Sequence, residues 1–91
     1  MAEDINIPAD LDDQVKKIII VVGGLAGMTP DQMNDDDSLS NDYQFDAPKF
    51  DLLCIRLQQL VQSYKPAGVI KCSDVSSCET VGDVIKLVRA A

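Results

Sequence analysis

The sequence predicts an all-α domain of three long helices and one short one. Three stretches repeat apolar residues at steps of three and four, the period of a helix face. The one candidate strand has no second strand downstream to pair with, and a lone strand cannot make a sheet. A length of 91 residues allows a single small domain, and 46 % hydrophobic with 25 % charged residues is the composition of a soluble globule. Residues 1–9 read as a flexible acidic tail and 10–91 as the helical domain.

The first helix starts at Asp10. Leu11, Val15, Ile18, Val22 and Leu25 form one apolar face, with Lys16 and Lys17 on the solvent side. Asp10, Asp12 and Asp13 suit the exposed N–H groups and positive dipole of a helix start. Gly23, Gly24 and Gly27 mark its end. A rival reading takes Ile18 to Val22 as a strand running into a glycine turn, as in a dinucleotide site. The spacing is not the full G-x-G-x-x-G, however.

Thr29-Pro30-Asp31 favours a single short turn. Asn34 to Asp46 reads as a polar loop. Asp35 and Asp37 resemble the opening of a calcium loop, but its Gly and closing Glu are absent. The second long helix begins near Asp46-Ala47-Pro48, with Asp46 as cap and Pro48 in the first turn. Phe50, Leu53, Cys54, Leu57 and Val61 share its apolar face. Leu52 and Ile55 fall off that stripe, as a second core contact or as exposed anchors for a partner. This helix fades at Ser63-Tyr64. A short polar piece, Ser73 to Ser77, precedes a last helix capped by Thr80 and Asp83, with Val81, Val84, Ile85 and Val88 turned inward.

The chain has no His and no Trp, which removes imidazole-based metal sites and acid–base catalysis. No nucleophile–base pair or phosphate loop can be named, so no enzyme activity is expected. Net charge is −7, a poor surface for nucleic acid. No apolar run is long enough for a membrane span. The charge is uneven: residues 1–46 hold 11 acids and two bases, residues 47–91 hold four acids and six bases. Cys54, Cys72 and Cys78 are odd in number. With acids at Met1 to Ala9 in place of a basic leader, they read as free, buried thiols in a reducing, cytoplasmic setting.

Leu11-Asp-Asp-Gln-Val-Lys-Lys-Ile-Ile19, Asp37-Ser-Leu-Ser-Asn-Asp42 and Thr80-Val-Gly-Asp-Val-Ile85 together resemble the acyl carrier protein family, in family order and spacing over roughly residues 10–90. The resemblance implies a four-helix bundle with a short third helix. It also implies 4′-phosphopantetheine on the Ser of an Asp-Ser-Leu motif opening the second helix. The matching residues here are Asp46, Ala47 and Pro48, and Ala47 has no hydroxyl to form the phosphodiester. The chain thus resembles a divergent carrier whose attachment site is degenerate, and no cofactor is expected on it. The family's second helix is rich in acids read by basic enzyme surfaces. Here Asp51 stands against Lys49 and Arg56, so that steering is weak.

The expected function is protein–protein contact within lipid-type metabolism, with Lys49, Leu52, Ile55 and Arg56 as the interface. The partner is expected to be a protein, of which acyl-chain and carrier-dependent enzymes are the implied candidates; nucleic acid and membrane are not expected. The protein is expected to be a monomer. The alternative is a genuine acyl carrier of fatty-acid or polyketide-type synthesis whose attachment serine is mutated or lies elsewhere. Ser38 and Ser40 are the nearest hydroxyls, and phosphopantetheine is expected in that reading alone.

Overall fold

A computed structural model describes residues 9–91. Apart from Ala9, the acidic tail expected over 1–9 lies outside the described residues. Within them the protein is helical: α1 (Leu11–Gly23), a single 3-10 turn (Pro30–Gln32), α2 (Ala47–Tyr64), α3 (Cys72–Ser76) and α4 (Val81–Ala90). α1 packs on α2 and α4, and α3 joins α2 to α4. α1, α2 and α4 are long, as the apolar spacing predicts, and α3 is short.

α1 buries Leu11, Val15, Ile19 and Val22. Ile18, expected in the core, is half-buried: at 3.6 residues per turn the steps of four, four and three through Leu11, Val15, Ile19 and Val22 also keep one face, and Ile19 takes the inner position. Asp10 does not cap the helix with its side chain; its carboxylate accepts from the Gln14 amide at 2.9 Å. The helix ends where the glycines predict. Gly24 is left-handed (φ 68°), its N–H bonds to Val21, and Leu25 N–H bonds to Ile20. Leu25 therefore lies beyond the helix and packs on the core from the turn.

α2 buries Leu53, Cys54, Leu57 and Val61, with Phe50 half-buried. Gln58 then pins the chain that follows: its side chain donates to Gly68 O (3.0 Å) and accepts from Ile70 N–H (2.6 Å). Gly68 sits so close to α2 that a Cβ there would lie 2.4 Å from Val61 Cγ1. This close approach inserts Ile70 and Val75 into the core and lays α3 against α2.

Two of the three cysteines expected as free thiols are paired. Cys54, in the middle of α2, is disulfide-bonded to Cys72, the first residue of α3. Cys54 is buried as expected, but it is not a free thiol, and Cys72 lies at an exposed position. Cys78 alone is free; it is half-buried, and burial together with Asp83 and Asp74 pushes its thiol up to about 11.

α4 starts with the reciprocal cap that Thr80 and Asp83 predict. Asp83 N–H donates to Thr80 Oγ1, and Thr80 N–H to the Asp83 carboxylate, both at 3.2 Å. Val81, Val84, Ile85 and Val88 are buried. Arg89 meets Asp12 at 2.8 Å and ties the end of α4 to the start of α1.

Candidate functional site

The loop from Asn34 to Asp46 is built by its own carboxylates. Asp37 accepts from Asn34 N–H (2.9 Å) and from the Tyr43 hydroxyl. Asp42 accepts from Ser38 N–H (2.7 Å), and Ser38 Oγ accepts from Asn41 N–H (3.1 Å). The bonds from the Tyr43 hydroxyl, the larger cause, and from Asn34 hold Asp37 below the ordinary carboxylate value. Burial first, then Asp37, pushes Tyr43 up. The loop also pairs with the start of α4: Leu39 N–H bonds to Glu79 O at 2.9 Å and Gly82 N–H to Asp35 O at 2.8 Å. Leu39, Tyr43 and Phe45 are buried, so a segment read as polar supplies three core side chains.

That loop delivers the chain to α2 in a fixed pose. Gln44 takes a left-handed backbone (φ 58°), and Phe45 N–H bonds to Leu39 O at 2.9 Å. Phe45 packs on Phe50 at a ring separation of 5.6 Å. Asp46 then caps the helix, its carboxylate accepting from Lys49 N–H at 3.3 Å. Ala47 and Pro48 form the exposed first turn.

The family's attachment position at the start of α2 does not fit a phosphopantetheine arm. The first turn of α2 offers a methyl at Ala47 and a ring at Pro48, with no hydroxyl to esterify. Ser38 is half-buried, its Oγ bonded to Asn41 and its backbone bridged to Thr80. Ser40 is exposed in the same loop, outside any helix start.

The four expected interface residues divide. Lys49 is half-buried with its ammonium 6.0 Å from the Phe45 ring centroid, at the edge of cation–π range. Leu52 (42 % exposed) and Ile55 (55 %) are anchors on the surface and not second core contacts. Arg56, one turn on from Leu52, lies on the side of α2 that meets α1. There Lys17, Ile18, Val21, Val22 and Arg56 line a shallow groove of about 140 Å³.

The α1 side of this surface is absent from the sequence reading. Val21 is 67 % exposed, and it was legible as the valine that falls outside the Leu11–Val15–Val22 stripe. Among the described residues no helix is long and apolar enough to cross a membrane, and no three potential ligands cluster to hold a metal ion. No family profile matches the chain, and neither a curated protein nor a solved structure matches it.

Proposed function

We propose that the protein is an acyl-carrier-like module that has lost the phosphopantetheine site and acts through protein contacts. The observation that carries this reading is the first turn of α2. It is capped and exposed like an attachment site, yet it presents Ala47 and Pro48. The helix order, with one short helix between two long ones, supports the carrier-like part of the reading. The exposed Leu52 and Ile55 beside Arg56 support the contact part. Partners in this reading are proteins of acyl-chain or carrier-dependent chemistry. The protein is then no enzyme, and it is a monomer until it docks.

The reading also places the protein in the cytoplasm. The Cys54–Cys72 bond weighs against that part, since structural disulfides persist in oxidising compartments.

The test is a variant series incubated with coenzyme A and a broad-range phosphopantetheinyl transferase, read by intact mass. Ala47→Ser restores the nucleophile, but Pro48 still withholds a backbone N–H and fixes φ beside it. We expect Ala47→Ser with Pro48→Leu to be modified more than Ala47→Ser alone. Equal modification of both would remove Pro48 from the account. Modification of the unaltered chain, mapped to a serine, would favour the genuine-carrier alternative.

A further inference from the structure

We propose that the α1–α2 groove docks an acidic amphipathic segment of a partner protein. In this arrangement one apolar side chain enters between Ile18, Val21 and Arg56, and flanking carboxylates meet Lys17 and Arg56. The inference rests on the protein-contact reading above and adds the partner's chemistry.

Exposure locates the surface. Val21, 67 % exposed on α1, lines the groove, while Leu52 and Ile55 stand exposed on α2 outside its lining. Volume limits the occupant. About 140 Å³ lies well below the roughly 300–1,000 Å³ of pockets that enclose a whole small ligand, and suits one side chain.

Charge selects the partner. The chain carries −7, yet the charged residues lining the groove are Lys17 and Arg56. Among the described residues neither is in an ion pair, whereas Lys16 is bound to Asp35 and Arg89 to Asp12. Asp13, one turn before Lys17, makes no ion pair with it either. Two cations that pair with no carboxylate among the described residues, beside an apolar floor, complement carboxylates next to an apolar anchor. A second copy docked groove to groove would set Lys17 and Arg56 against their own counterparts, like charge on like.

The experiment uses two labelled helical peptides with the same leucine face, one flanked by Glu and one by Lys. Each is titrated with the full chain by fluorescence anisotropy at low and at physiological salt. The Glu peptide should bind at least tenfold tighter than the Lys peptide and weaken several-fold as salt rises. Lys17→Glu with Arg56→Glu, both at exposed positions, should reverse the preference. Val21→Ser should weaken the Glu peptide at least fivefold while circular dichroism shows the helix content unchanged.

No binding of the Glu peptide, equal binding of the two, or an unreversed preference would overturn the proposal. So would binding to phosphatidylserine vesicles without peptide preference, or a dimer in sedimentation that Val21→Ser dissolves. The two readings fail separately. Peptide failure without phosphopantetheine transfer removes the acidic partner and leaves the protein-contact reading. Transfer to the unaltered chain removes that reading whatever the peptides do.

Discussion

Asp37 and Tyr43 show how far one side chain organises this molecule. The Tyr43 hydroxyl holds the Asp37 carboxylate below its ordinary value of 3.8. A depressed carboxyl stabilises the fold above its unfolded value, and that contribution is lost as pH falls through the folded one. Tyr43→Phe should therefore move the Asp37 titration up toward 3.8 in a carboxyl-carbon NMR experiment, and the acid-unfolding midpoint up with it. An unmoved Asp37 would contradict the assignment. In the core, Leu57 is fully buried and was legible from the spacing of α2. Leu57→Ala should cost about 2–5 kcal/mol in a urea melt, as cavity-forming changes do; a loss below 1 kcal/mol would place it outside the core. Ile18 and Ile19 are not told apart by sequence, for a physical reason. Four branched or aliphatic residues run from Ile18 to Val21, so spacing alone fits either Ile18 or Ile19 as the inner one, and packing against α2 and α4 decides it.

At the scale of elements, what was legible is what local chemistry determines. The Thr80–Asp83 cap is written within four residues, and Thr80→Ala should cost about 1 kcal/mol. Chemical denaturation checks this, and a neutral result would mean that the loop bonds to Leu39 and Gly82 alone hold the start of α4. The glycine end of α1 was legible for the same reason. The Cys54–Cys72 bond was not. It depends on where Gln58, Gly68 and Val75 put α3, and three cysteines with 17 residues between the two partners carry no such information. Closing a loop of that length should be worth about 3 kcal/mol through the unfolded chain. Reduction with a dithiol should lower the melting midpoint accordingly, while the buried Val75 and the Gln58 bonds keep α3 in place. A reduced protein melting like the oxidised one would contradict the cross-link.

At the scale of the whole molecule, two features combine. An acidic chain carries a cation-flanked apolar groove between its first two helices, and its second helix opens on a turn that lacks a hydroxyl. The turn was fully legible, since Asp46, Ala47 and Pro48 are adjacent in sequence. The groove was half legible. Arg56 stood out on α2, whereas Lys17, Ile18 and Val21 join it through the packing of α1, which no local pattern encodes. The central claim is that this molecule works by contact and not by a covalently carried group. Intact mass of the unaltered chain after incubation with coenzyme A and a phosphopantetheinyl transferase tests it most directly. The account predicts an unchanged mass, and a gain of one phosphopantetheine would contradict it.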